Sequence, residues 1–249
     1  MPEILTLAGV SRRFSGLQAL RDVNLKIAGG EIVGLIGPNG AGKTTLVNTV
    51  CGVTPASAGT VTFAGRDITR LKPYQAARLG LARTFQIVQP FAEFSALDNV
   101  ATAALFSRPG QSLKVARENA RQHLAFVGLD GQADQPAATL TLAMRKRLEL
   151  AKALAMSPKI LFLDEVNAGL NSAEVEKATA LIRQLAAGGL TIVMIEHLMK
   201  VVLNVCTRIV VLHNGELIAD GAPRNVVRNP AVIDAYLGQQ YAQRHAGHG

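Results

Sequence analysis

Apolar positions in this chain fall into short runs, and their spacing alternates between two kinds of element. Residues 4–10, 23–27 and 61–64 read as strands, the last closed by the turn Gly65-Arg66-Asp67. Gly29-Gly30 then turns the chain toward Glu31-Ile32-Val33-Gly34-Leu35-Ile36, an apolar run of the length a buried strand needs. Beyond a glycine-rich stretch, Thr45-Leu46-Val47-Asn48-Thr49-Val50-Cys51 continues as a helix that Gly52 can end. From about residue 96 to 156 helical spacing dominates, punctuated by Pro109-Gly110, Gly128, Gly131 and Pro136, which predicts a helical subdomain inserted over about residues 92–157. Strand-like runs return at 160–163, 190–195 and 208–213, and a helix over 173–187 is stopped by Gly188-Gly189. Asn214-Gly215, set between Val210-Val211-Leu212 and Glu216-Leu217-Ile218, predicts a two-residue hairpin. Short helices are expected through Tyr236, followed by a flexible polar tail over 239–249.

Strands alternating with helices imply a parallel sheet covered by helices. The glycine-rich stretch decides what kind. Gly37-Pro38-Asn39-Gly40-Ala41-Gly42-Lys43-Thr44 matches the phosphate loop without a gap and lies between a predicted strand and a predicted helix. Its glycines let backbone N–H groups turn toward phosphate oxygens, and the helix that follows adds the partial positive charge of its N-terminus. Lys43 would reach the β- and γ-phosphates, and the Thr44 hydroxyl would hold Mg²⁺. The predicted fold is therefore α/β: a P-loop NTPase with a mostly parallel sheet core, an antiparallel β portion and a helical insert, in one domain over residues 1–238.

Composition adds limits. The 249 residues are 49% hydrophobic, yet no run is long enough to span a bilayer, and the N-terminal Met1-Pro2-Glu3-Ile4-Leu5 lacks the pattern of a secretory signal. Cys51 and Cys206 are far apart and read as buried thiols in a reducing compartment. An excess of 26 Lys and Arg over 18 Asp and Glu suits nucleic acid, an anionic membrane surface or a nucleotide pocket, and charge alone does not choose. Only 4% of residues are aromatic, with no Trp and no basic stripe interleaved with aromatics, which argues against nucleic acid.

About 120 residues after the loop, Ile160-Leu161-Phe162-Leu163 leads into Asp164-Glu165, so two carboxylates leave a buried strand at the edge where parallel sheets bind ligands. Taken alone, the pair could simply end a strand. Beside a phosphate loop it reads as an aspartate that meets Mg²⁺ and a glutamate that acts as general base toward water.

With these motifs the chain resembles the ATP-binding subunits of ABC transporters over essentially its whole length. The resemblance implies several further roles. Phe14 matches the aromatic residue that stacks on adenine, and Thr45 falls within the nucleotide-binding stretch that runs on from the phosphate loop. Gln86, in Arg83-Thr84-Phe85-Gln86, matches the glutamine that senses Mg²⁺ and water beside the membrane partner. Ala168-Gly169-Leu170-Asn171 is similar to the loop that crosses between paired subunits, and His197 matches the switch histidine that contacts the γ-phosphate. The family also implies ATP and Mg²⁺ as cofactors, a homodimer or a heterodimer with a second ATPase subunit, integral membrane permease subunits, and indirectly a solute-binding protein. It implies a peripheral place on the cytoplasmic face of the inner membrane.

One motif departs from the family. Where its members carry Leu-Ser-Gly-Gly-Gln, this chain has Leu140-Thr141-Leu142-Ala143-Met144, so Thr141 keeps a hydroxyl while Ala143 and Met144 replace a glycine and the glutamine. Either the variant is tolerated or the composite site it helps to form is weakened. Two segments, Phe14-Ser15-Gly16-Leu17-Gln18-Ala19-Leu20 and Asn229-Pro230-Ala231-Val232-Ile233-Asp234-Ala235-Tyr236-Leu237-Gly238, are similar to the branched-chain amino acid importer ATPases and their relatives, which include urea importers and a lipopolysaccharide exporter. The expected function is an ATPase that powers solute import. A related exporter ATPase, a cytosolic ABC ATPase of DNA repair or translation, and a catalytically silent nucleotide-binding module are the alternatives.

Overall fold

Alternating burial along Glu3–Phe14 (β1) and Leu17–Ala28 (β2) produces an antiparallel hairpin that buries Leu5, Leu7 and Val10 with Leu20, Val23, Leu25 and Ile27. The computed structural model describes residues 2–84, 88–108 and 110–245. It divides into two units, Met1–Leu71 with Ile192–Gly249, and Lys72–Thr191.

In the first unit, β1 and β2 join Ala58–Phe63 (β4) and Arg66–Asp67 (β5) in an antiparallel sheet of order β2-β1-β4-β5, where Val61 and Phe63 complete the buried face. A second set of strands surrounds Ile32–Ile36 (β3). Thr191–Ile195 (β8) pairs with β3 in parallel, Ile32 opposite Ile192, and Arg208–His213 (β9) pairs in parallel on the other side, Gly34 opposite Ile209. Burial on both faces explains why β3 and β8 are continuous apolar runs rather than alternating ones. Glu216–Gly221 (β10) returns antiparallel to β9 through Asn214 and Gly215, whose φ of 49° and 82° are what the predicted hairpin turn requires. Lys43–Val50 (α1) follows the phosphate loop, with Cys51 as its C-cap rather than an interior residue. Met199–Val205 (α7), Pro223–Val226 (α8) and Pro230–His245 (α9) complete this unit.

The second unit contains Pro73–Leu79 (α2), Leu81–Arg83 (β6), Ala96–Ser107 (α3), Leu113–Phe126 (α4), Leu142–Ala155 (α5), Ile160–Asp164 (β7) and Ser172–Ala187 (α6). Helices α3, α4 and α5 meet through small residues, with Ala101, Ala104, Ala116, Ala120 and Ala151 buried beside Leu124 and Leu148. Side-chain caps start these helices and α6 as their sequences dictate: Ser95 accepts from Asp98 N, Ser112 from Val115 N, Thr141 from Met144 N, and at α6 Asn171 forms a capping box with Glu174. Strand β6 lies parallel to β7, with Arg83 opposite Phe162. Sequence spacing carried no expectation for α2 or β6, which are short.

Candidate nucleotide site

In the first unit β3 delivers the chain into the phosphate loop, and its backbone admits little but glycine at two points. Gly37 has φ 150°, and a Cβ there would lie 2.0 Å from the Leu212 carbonyl oxygen; Gly42 has φ 103°, and a Cβ there would lie 2.7 Å from the Ala19 carbonyl oxygen. The loop is therefore seated against the end of β9 and against β2 by main-chain contact. The hairpin tip adds to this seat, since Gly215 N donates to Ala41 O at 2.9 Å and Arg21 N donates to Gly215 O at 2.8 Å. Gly37 and Pro38 are buried, whereas Asn39, Gly40 and Thr44 are exposed and Thr45 is half-buried, so the loop presents one face outward.

Lys43 is buried and folds back over the loop, its Nζ donating to Gly37 O at 2.7 Å and to Pro38 O at 3.0 Å. Helix α1 has Gly42 as N-cap without a side-chain cap and no acid in its first turn, so no side chain of that turn offsets the partial positive charge of its N-terminus. A glycine cradle, a cation and a helix N-terminus in this order fit a polyphosphate. His197 is exposed, two residues beyond β8, and because β3 and β8 run parallel it leaves the sheet from the same edge as the loop. Phe14 is partly exposed at the end of β1, with the Arg12 guanidinium 4.3 Å from its ring centroid. Tyr236 of α9 is a contact that the motifs did not indicate: burial pushes its phenol above the ordinary value, while a hydrogen bond with the Gly37 backbone works in the other direction.

In the second unit β7 ends at Asp164, which is buried. Arg83 donates to Asp164 Oδ2 at 3.1 Å in an ion pair whose side chains are 10% and 4% exposed. Asp164 N donates to the Thr84 hydroxyl at 3.2 Å, so β6 and the residue that follows it hold both the carboxylate and the backbone of that residue. Glu165 follows in a left-handed conformation, φ 49°, rare for a residue with a side chain, and its carbonyl accepts from Lys146 Nζ at 3.1 Å. Thr141 is the N-cap of α5, Leu142 is half-exposed and Ala143 is partly buried in the first turn. Gln86 lies outside the described residues. Close by in sequence, Phe91 and Phe94 are exposed and their ring centroids are 5.4 Å apart, while buried Asn99 holds their loop through hydrogen bonds to Phe91 N and O and to Phe94 O.

A phosphate loop between a parallel strand and a helix, with a buried aspartate and an adjacent glutamate ending another parallel strand, defines an α/β P-loop nucleotide-binding protein. The ABC transporter family model matches residues 20–168, and a model for the branched-chain amino acid ATP-binding cassette transporter matches residues 216–242. The chain is 39% identical over 250 residues to the high-affinity branched-chain amino acid transport ATP-binding protein BraF of Pseudomonas aeruginosa, covering 95% of this chain and 98% of that protein. A crystal structure of the ADP conformation of an ATP-binding cassette of an ABC transporter superposes with a TM-score of 0.85 at 31% identity, covering 96% of this chain and 100% of the other. A dimeric cassette in a post-hydrolysis state bound to ADP and phosphate gives 0.80 at 26% identity, covering 89% and 99%. The chain belongs to the ABC transporter ATP-binding family, as an ATPase subunit homologous to those of branched-chain amino acid importers. Among the described residues no helix is long and apolar enough to cross a membrane.

Proposed function

We propose that this chain is the ATP-hydrolysing subunit of an importer for branched-chain or similar apolar amino acids. It works as a pair with itself or with a second ATPase subunit, on the cytoplasmic face of the membrane, against permease subunits fed by a solute-binding protein. The observation that carries the reading is the 39% identity with BraF over nearly the whole length of both chains.

Each motif residue then takes a role. The glycine cradle and the N-terminus of α1 take the phosphates, and Lys43, which already donates to two carbonyls of the loop, exchanges them for β- and γ-phosphate oxygens. Phe14 offers a ring face to adenine. The Thr44 hydroxyl and the Asp164 carboxylate are oxygen donors that suit Mg²⁺, with Gln86 as a third candidate. Bound Mg²⁺ supplies charge neutralisation on the phosphate oxygens. Glu165 accepts a proton from the attacking water, and His197 donates toward the γ-phosphate. Thr141, Ala143 and the first turn of α5 face the nucleotide held by the opposite subunit.

Two measurements test this. Glu165→Gln in the assembled transporter should keep ATP binding and lower turnover at least ~10²-fold, because the amide preserves shape and loses the base; hydrolysis at the parental rate would refute the role of Glu165. In-frame deletion of the gene should abolish high-affinity uptake of labelled leucine, isoleucine and valine, and undiminished uptake of all three would refute the cargo.

A further inference from the structure

Helix α5 reaches the turn that carries Glu165 with the Lys146 ammonium. Lys146 Nζ donates to Glu165 O at 3.1 Å and to Ala168 O at 2.6 Å, so a single ammonium bridges both ends of the turn. Inside the turn Ala168 N donates to Glu165 O at 3.1 Å, and Leu170 N donates to Asn167 O at 3.2 Å. Leu142, one helical turn before Lys146 on the same face, reaches the turn as well: a Cβ at Gly169 would meet its Cδ2 at 3.2 Å.

Asn167, in the middle of the turn, is buried at 1% exposure. A cavity of about 220 Å³, lined by Met144, Leu150, Val166, Leu170, Leu181 and Ile182, lies between α5, the turn and α6. The left-handed conformation of Glu165 persists only where surrounding structure over-determines it, and the two hydrogen bonds from Lys146 are part of that structure.

We propose that Lys146 is a positioning residue: it ties the backbone of Glu165 to the helix that begins at Thr141, so that the carboxylate follows the position of α5. The inference rests on Glu165 being the base. It links, through one side chain and its hydrogen bonds, the segment that faces the opposite subunit to the group that activates water.

The test compares Lys146→Met, which keeps the stem and loses the donor, with Lys146→Arg, which keeps a cationic donor, and uses Lys146→Gln as a second neutral variant in case the first does not fold. In the assembled transporter the neutral variants should lower kcat at least about tenfold with KM for ATP changed less than about twofold, since misplacing a reacting group costs rate rather than binding. Lys146→Arg should recover kcat to within about threefold of the parent. In the purified chain, amide hydrogen exchange over residues 166–170 should speed up at least about tenfold in the neutral variants, with α4 unchanged as a fold control. A kcat within about twofold of the parent, unchanged exchange over 166–170, or an arginine variant as impaired as methionine would overturn the proposal. Parental turnover in Glu165→Gln would remove the base assignment alone, because the exchange measurement still reads the Lys146 bridge.

Discussion

Arg83 and Asp164, separated by 81 positions in the chain, form a buried ion pair at 3.1 Å across the parallel strands β6 and β7. A buried aspartate is costly to leave charged, and a guanidinium in hydrogen-bonding distance offsets that cost while its own burial is offset in return. The same aspartate is the Mg²⁺ ligand of the proposed function, so Arg83 holds in place the carboxylate that this role would use. The next residue of β6's exit, Thr84, accepts from the backbone of Asp164.

The pair predicts a non-additive response. Arg83→Met strands a buried charge and should destabilise the chain by about 3–5 kcal/mol. Combining it with Asp164→Asn removes the stranded charge, so the double variant should be more stable than Arg83→Met alone by at least about 1 kcal/mol. Denaturant unfolding of the four proteins of this cycle is the measurement. Strictly additive losses would show that the contact carries no coupling.

A second ion pair gives a pH signature. Asp98, on α3, accepts from Arg117 Nε at 2.9 Å and Nη2 at 2.7 Å, tying α3 to α4. Burial pushes the Asp98 carboxyl up, but hydrogen bonds from Arg117 and Ser95 together with the Arg117 charge outweigh it and leave the carboxyl below its ordinary value. A depressed carboxyl contributes stability above its unfolded value, about 3.9, and that contribution disappears as pH falls through the lower folded value. The pair is partly exposed, so Asp98→Asn should lower Tm by only about 1–3 °C at pH 7. The difference should shrink progressively once pH drops below about 4. A gap that stays constant from pH 7 to pH 3 would show that the carboxylate charge is irrelevant.

What could be read from the sequence, and what could not, follows the range of the forces involved. The phosphate loop is legible because Gly37, Gly40 and Gly42 satisfy a local backbone demand at fixed spacing, and Asn214-Gly215 because both residues must take positive φ between two strands. The strands β3, β8 and β9 announce themselves as apolar runs because both of their faces are covered. Strand β6 is three residues long and lacks such a run; its existence depends on pairing with β7, a contact across the chain. Helix α2 did carry signals in Pro73 at its start and Gly80 at its end, with Gly80 at φ 108°. Arg83, Lys146 and Tyr236 were missed as site residues because each acts on a backbone or carboxylate far away in sequence, and no spacing rule marks such partners.

The altered motif at the start of α5 supplies the sharpest test. Thr141 caps the helix as a serine would, its hydroxyl accepting from Met144 N at 3.3 Å, and the helix behind it is intact from Leu142 to Ala155. Backbone N–H groups and the helix N-terminus therefore remain available to an anion without the family's side chains. On this geometry, one combined variant carrying Thr141→Ser, Leu142→Gly, Ala143→Gly and Met144→Gln should change the ATPase rate of the complete transporter by less than about threefold, under ~0.7 kcal/mol in the barrier. The assay uses the complete transporter, because in the proposed function this motif acts on nucleotide bound by the opposing subunit. If Leu142, half-exposed at the helix start, instead keeps the backbone from close approach, the restored motif would supply oriented donors to a developing anion, an effect of about 2.7–4 kcal/mol per donor at its largest. Activation of tenfold or more, about 1.4 kcal/mol, would then show that the native motif holds the ATPase back.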